Sequence, residues 1–135
     1  MGGNSELRKI YEVKEDDVLK LGKKVAQLFT KNKLYKNLLE GNGVDYKKII
    51  SKRLLPDEAI LIGNTLFIVE MKFQYVAGSV DEKLQTCDFK RKQYVKLLEP
   101  IGIKVEYIYV LNDWFKKEEY RDVLSYVESV GCHYY

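Results

Sequence analysis

Pro56-Asp57-Glu58-Ala59-Ile60-Leu61-Ile62-Gly63-Asn64-Thr65-Leu66-Phe67-Ile68-Val69-Glu70-Met71-Lys72 is the stretch on which the reading of this chain turns. Two apolar runs, 59–62 and 66–71, flank Gly63-Asn64, a pair that tolerates positive φ and so suits a two-residue hairpin loop. The second run is apolar on both faces, with Leu66 and Ile68 on one and Phe67, Val69 and Met71 on the other. That is the pattern of a strand buried inside a sheet. With a two-residue loop Ile62 faces Thr65, and counting outward sets Asp57 opposite Glu70. Facing residues have Cβ atoms about 4.5–5.5 Å apart. Strand alternation then turns Lys72 to the same face as Glu70.

Two carboxylates at that separation can share one hard divalent cation. Mg²⁺ keeps several waters and takes one or two carboxylates plus substrate phosphate, and Mn²⁺ is expected to substitute for it. The main-chain carbonyl of Met71, between the two side chains, is a further ligand. Such an ion activates water and stabilises the charge that builds on a phosphodiester. Lys72 would orient or help deprotonate the water, or stabilise that charge. The same trio also reads as an ion-pair cluster at a hairpin end, a kind that adds little to stability. Against this stands the apolar character of the strand that carries Glu70 and Lys72.

The bulk properties bound the rest. At 135 residues the chain fits one domain, 1–135, with no room for a second core of similar size. Hydrophobic residues make up 46% and charged residues 32%, a globular balance. No apolar run approaches the roughly 20 residues of a membrane helix, and Met1-Gly2-Gly3-Asn4-Ser5-Glu6 lacks the apolar core of a signal peptide. Cys87 and Cys132 imply no disulfide framework and a lone His leaves little scope for zinc, so a cytoplasmic setting is expected. The net charge of +3 is too small to announce a nucleic-acid binder. Its distribution says more: Lys23, Lys24, Lys31, Lys33 and Lys36, then Lys47, Lys48, Lys52 and Arg53, then Lys90-Arg91-Lys92 and Lys96 form basic groups. Each taken alone is an ordinary solvated face.

Around the hairpin the spacing predicts an α/β domain with a mixed sheet flanked by helices. Val18, Leu21, Val25, Leu28 and Phe29 fall at helical spacing, predicting a helix over about 15–30 with Glu15, Asp16 and Asp17 at its start. A second helical piece covers 34–39 and ends at Gly41-Asn42-Gly43; 45–55 is ambiguous, with room for a short strand. Ser79-Val80-Asp81-Glu82 has the form of a capping box. It opens a helix to about Leu98, stopped by Pro100 and Gly102, with Val80, Leu84, Cys87, Tyr94 and Leu98 inward. Residues 103–111 form a strand, 118–130 a helix ended by Gly131, and 132–135 the start of a last strand.

Pro56-Asp57, a hairpin, then Glu70-Met71-Lys72 resembles the PD-(D/E)xK motif of restriction-endonuclease-like nucleases, and the element order is similar to that superfamily's core. Gln74 completes a Glu-x-Lys-x-Gln pattern often seen there. The segment 78–86, followed by Gln93-Tyr94, is similar to the small cleavage subunits of heterodimeric type IIS restriction endonucleases. The resemblance covers roughly residue 10 to the end. It implies a restriction-endonuclease-like core, Asp57 and Glu70 as metal-binding acids, Lys72 as catalytic lysine and Gln74 as a supporting residue. It further implies double-stranded DNA as substrate, and a homodimer or a larger recognition subunit as partner. Many members add an acid from the first helix; Gly22-Lys23-Lys24-Val25 offers none. Such subunits also tend to continue beyond a point like Tyr135.

Lys83, Lys90 and Gln93 fall along one side of the long helix and Gln85, Lys92 and Lys96 along another, so either side could meet phosphates as readily as solvent. Ser79 reads as a helix cap ahead of a DNA contact or a nucleophile, and His133 with Cys132 as structural. The 11 tyrosines serve packing, with Tyr107 and Tyr109 on one strand face, and Trp114 reads as a tucked-in anchor. No P-loop exists. Two other readings remain open: a non-catalytic DNA-binding or assembly module, and the same core acting on branched DNA or RNA.

Overall fold

The hairpin forms where the sequence places it. A computed structural model describes residues 10–135; the Met1–Glu6 stretch lies outside the described residues. Strands β4 (Glu58–Ile62) and β5 (Thr65–Lys72) pair antiparallel with Ile62 opposite Thr65, Ala59 opposite Ile68 and Glu58 opposite Val69. Gly63 takes a left-handed φ of 59°, which a glycine-led two-residue loop requires. This pair lies in a seven-stranded mixed sheet of order β1 to β7. Strand β6 (Lys104–Leu111) runs parallel to β5, and the short β7 (His133–Tyr134) parallel to β6. Parallel neighbours need crossovers. The first is α1 (Val80–Leu84) with α2 (Cys87–Leu98), and the second is α3 (Arg121–Ser129).

The segment expected as one helix over 15–30 is instead a β-meander: β1 (Tyr11–Lys14), β2 (Asp17–Lys20) and β3 (Lys23–Leu28). Its turns use left-handed residues that a helix would exclude, Glu15 at φ 58°, Leu21 at 51° and Gly22 at 82°. Strand β3 pairs with the exposed flank of β4, Gln27 with Leu61 and Leu28 with Ile60, and the Phe29 N–H continues the line to the Ala59 carbonyl at 2.7 Å. Tertiary pairing outweighs the local spacing. The acids expected at a helix start serve lysines instead: Lys33 Nζ lies 2.8 Å from Asp16 and Lys24 Nζ 3.3 Å from Asp17.

Two further expectations are corrected. The ambiguous 45–55 stretch holds a short turn of helix at Tyr46–Lys48, started by Asp45 accepting from the Lys47 N–H at 3.1 Å, and no strand. The long helix is broken at Gln85-Thr86, and the Ser79 side chain makes no capping bond; its carbonyl accepts the Glu82 N–H at 3.2 Å. Elsewhere the boundaries fall close to expectation, with 34–39 helical and Gly43, Gly102 and Gly131 at positive φ past their helices.

Packing is one-sided. Leu66, Ile68, Tyr107 and Tyr109 on one sheet face meet Leu84, Cys87, Tyr94, Leu97 and Leu98 from the helices, and Leu34, Tyr35 and Leu39 complete this core. On the opposite face Ile60, Phe67, Val69, Ile108 and Val110 lie outside the core cluster and stay half-exposed. Strand β5 is therefore central in the sheet yet buried on one face only. Both cysteines are free and buried. Trp114 is half-buried as an anchor, its indole N–H donating to Tyr120 Oη at 2.6 Å. Among the described residues no helix is long and apolar enough to cross a membrane.

One-sided packing makes the two faces unequal to truncation. Ile68→Ala, at a fully buried position, should cost about 2–5 kcal/mol. Ile108→Ala, on the half-exposed face, should cost less than half of that. Urea unfolding midpoints of the two variants check the difference; equal losses would contradict the layer assignment.

Candidate functional site

The chain reaches Asp57 under tight main-chain control. The Tyr35 hydroxyl accepts the Leu54 N–H at 2.9 Å and donates to the Leu54 carbonyl at 2.6 Å. Burial pushes that phenol up to about 12, so it stays protonated as the donor. The Lys31 N–H then binds the Pro56 carbonyl at 3.1 Å, and Thr30 Oγ1 donates to Glu58 at 2.9 Å. Asp57 is thus clamped on both sides just before β4 begins.

The hairpin register carries one step past its last ladder pair. Asp57 Oδ2 accepts the Met71 N–H at 3.0 Å, across from Glu70. Burial alternates down this end of the strand: Glu70 is 7% exposed, Lys72 half-buried and Gln74 5% exposed, whereas Met71, Phe73 and Tyr75 are exposed. Lys72 Nζ stands 3.9 Å from Glu70 Oε2. The three expected charged residues therefore converge on the helix-covered face. Because a strand residue's N–H and C=O point to the same flank, the Met71 carbonyl is aimed toward Asp57.

Electrostatically the centre is strained. Burial, reinforced by the Asp57 charge and only partly offset by Lys72 and Lys90, raises the Glu70 carboxyl from 4.5 to about 7. Burial also lowers the Lys90 ammonium, whose charged neighbours are Glu70, Lys72 and Asp57. Lys90 stands half-buried on α2. Tyr94 on the same helix and Tyr107 on β6 pack in the core with rings 6.2 Å apart, their hydroxyls pushed up by burial, with Tyr109 and Glu70 adding to the shift at Tyr107 and Glu70 at Tyr94. Tyr109 pairs laterally with Glu70.

The other expected contacts are scattered. Ser79, Lys83 and Gln85 are exposed around α1, where they are free to meet a polyanion. Gln93 is 8% exposed, more buried than an outer helix side predicts, while the expected inward positions Leu84, Cys87, Tyr94 and Leu98 are buried on both sides of the break. Lys90 is half-buried and feels the charges of Glu70, Lys72 and Asp57. Asn112 was not foreseen; its amide binds the Gln74 main chain, and no local pattern marks it.

Among the described residues no three His, Cys, Asp or Glu side chains gather into a metal cluster. The donor set fits a hard cation of the Mg²⁺ type nonetheless: two adjacent carboxylates and an aimed carbonyl, with the remaining positions left to water and phosphate. Gln74 Oε1 is a buried acceptor with no partner, while its Nε2 donates to the Val76 carbonyl at 2.9 Å. Such an orphan fits a site completed by groups from outside the chain. A hollow of about 580 Å³ opens elsewhere, beside Leu111, Phe115 and Tyr134. Two of its cations are paired, Arg121 with Glu118 at 2.6 Å and Lys116 with Asp113 at 3.2 Å, and Lys117 Nζ lies over the Trp114 ring at 3.3 Å. His133 sits at the sheet edge, 2.9 Å from Glu106.

No family model, curated protein or solved structure matches this chain.

The raised Glu70 carboxyl has a signed consequence for the ion-free protein. The folded state binds this proton more tightly than the unfolded state, whose value is near 4.5. Its stabilising effect is therefore full below about 4.5 and is lost as pH rises toward 7. Glu70→Gln should raise the melting temperature at pH 8 in chelator, by up to about 3 kcal/mol of stability, with the gain shrinking at pH 5. A lower melting temperature for the variant at pH 8 would contradict the burial argument.

Proposed function

We propose that the chain is a Mg²⁺-dependent DNA endonuclease with a restriction-endonuclease-like PD-(D/E)xK core, acting as a restriction endonuclease or its cleavage subunit. The observation that carries this reading is the hairpin register. It brings Asp57, Glu70 and the Met71 carbonyl to one flank, with Lys72 3.9 Å from Glu70. An ion-pair cluster serving stability alone sits poorly with a carboxyl raised to about 7 by its own surroundings. Groups held at such a cost recur at sites of chemistry.

In this reading Asp57, Glu70 and the Met71 carbonyl would hold the divalent ion, Mg²⁺ or Mn²⁺, which when bound would supply Lewis-acid stabilisation of the phosphoryl charge. Lys72 holds the attacking water by its ammonium and lies beside the charge that develops on phosphorus. Water oxygen bonds to phosphorus and releases one proton to solvent, the bond to the leaving sugar oxygen breaks, and that oxygen takes up a proton from solvent, so that one water is consumed overall. Lys90, half-buried on α2, supplies a second cation to the phosphate. Tyr94 and Tyr107, packed in the core, exclude bulk water, which strengthens each charge interaction near them. Exposed Lys47, Lys48, Lys52 and Arg53 precede Asp57 and give the approaching backbone an attractive rim.

Target choice needs more surface than this chain offers. The half-exposed sheet face of Ile60, Phe67, Val69, Ile108 and Val110 supports a homodimer or a larger recognition subunit as partner. The reading is tested by metal-dependent cleavage of plasmid DNA, with single-stranded DNA, four-way junctions and RNA alongside. Asp57→Ala and Lys72→Ala should each lower the cleavage rate at least about 100-fold. Full activity in both variants would overturn the assignment, and preference for junctions or RNA would redirect the substrate.

A further inference from the structure

Asn112 follows the last residue of β6 and stands at the entry to a short helical turn, Asp113–Lys116. Asn at such a position ordinarily spends its side chain capping the turn. Here it does not: there is no side-chain capping bond, and only the Asn112 carbonyl serves the turn, accepting the Phe115 N–H at 3.2 Å. The side chain crosses instead to the segment leaving β5. Asn112 Oδ1 accepts the Gln74 N–H at 3.2 Å, and Asn112 Nδ2 donates to the Gln74 carbonyl at 2.7 Å.

The parallel ladder between β5 and β6 ends at Lys72 opposite Leu111. One primary amide thus supplies both the acceptor and the donor that a further strand residue would have supplied. It prolongs the order of β5 to Gln74 after the strand itself has stopped. Gln74 keeps the phase of Glu70 and Lys72, buried while Phe73 and Tyr75 are exposed. Its own amide is fixed at the far end by the Val76 carbonyl, which leaves Oε1 as a buried acceptor held in one place. Neither Asn112 bond lowers the energy of the Gln74 side chain directly. Their effect is to fix where that side chain starts.

We infer that Asn112 is a positioning residue of the proposed nuclease centre, acting through Gln74 to keep the Oε1 acceptor in register with Glu70 and Lys72. This rests on the nuclease reading for its functional part and on the two amide bonds for its structural part. Alanine would remove both bonds, and aspartate would keep the acceptor but set a carboxylate against the Gln74 carbonyl.

Wild type, Asn112→Ala, Gln74→Ala and the double variant of the full chain form the test. Amide exchange at Gln74 is read by NMR, and single-turnover cleavage in Mg²⁺ is read beside DNA affinity. Asn112→Ala should speed Gln74 N–H exchange at least tenfold and slow cleavage by about tenfold to a hundredfold, with affinity for DNA unchanged. In the Gln74→Ala background, Asn112→Ala should slow cleavage no further, because the group it positions is gone. Unchanged exchange at Gln74, or an equal loss of rate with and without the Gln74 side chain, would overturn the inference. A slow Gln74→Ala beside a fast Asn112→Ala overturns the inference alone. Equal rates for wild type and Gln74→Ala overturn the placing of Gln74 in the centre, and the inference with it.

Discussion

The pairing register of β4 with β5 is the constraint on which the rest depends. Side chains alternate along a strand, so a slip of one residue would send Leu66, Ile68 and Glu70 to the outer face and bring Phe67, Val69 and Met71 in. The two-residue loop at Gly63-Asn64 admits one register, with Ile62 opposite Thr65. Everything downstream inherits that choice. Strand β6 packs Tyr107 and Tyr109 beside Ile68 and Glu70, and α2 finds Tyr94 a ring to lie against. The Asp57 carboxylate arrives at the Met71 N–H only because β4 is in step.

Fold and chemistry pull in opposite directions at Glu70. Its neighbours Leu66 and Ile68 on the same face are fully buried, and an apolar residue at 70 would continue that core without charge. A carboxyl there, beside a second carboxylate, carries the free-energy cost of both desolvation and repulsion. Lys72 and Lys90 recover part of it. A local conflict of this kind, set in an otherwise consistent element, is where function is expected to lie.

How much of this was legible depended on how local each signal was. The hairpin, its register and the Asp57–Glu70 pairing follow from one turn and strict alternation, so sequence sufficed. The crossovers, β6 and α3 were equally visible, because Ser79, Gly102 and Gly131 mark their ends. The N-terminal meander was misread because Val18, Leu21, Val25, Leu28 and Phe29 satisfy helical spacing, while the decisive partner, the edge of β4, lies some thirty residues away. Gly22 was the available warning. The burial of Gln93 is not legible from spacing, because it lies beside the inward stripe of Cys87, Tyr94 and Leu98 and is covered only by tertiary packing. Asn112 reaches the Gln74 main chain by tertiary placement alone, and the half-exposed outer face could not be told from a buried one by apolar content.

The meander also gives the sheet a seam. Strands β1, β2 and β3 pair extensively with one another, but the ladder joining them to the remainder consists of Gln27 with Leu61 and Leu28 with Ile60. A unit so attached opens at a lower free energy than the core, as its own cooperative step. The stretch just past that seam is the one whose Phe29 and Lys31 N–H groups hold Ala59 and Pro56. The Asp57 segment is therefore fastened, on one side, to residues that directly follow this two-pair seam. Opening of that seam would loosen the anchor of Asp57 without unfolding the helix-covered core.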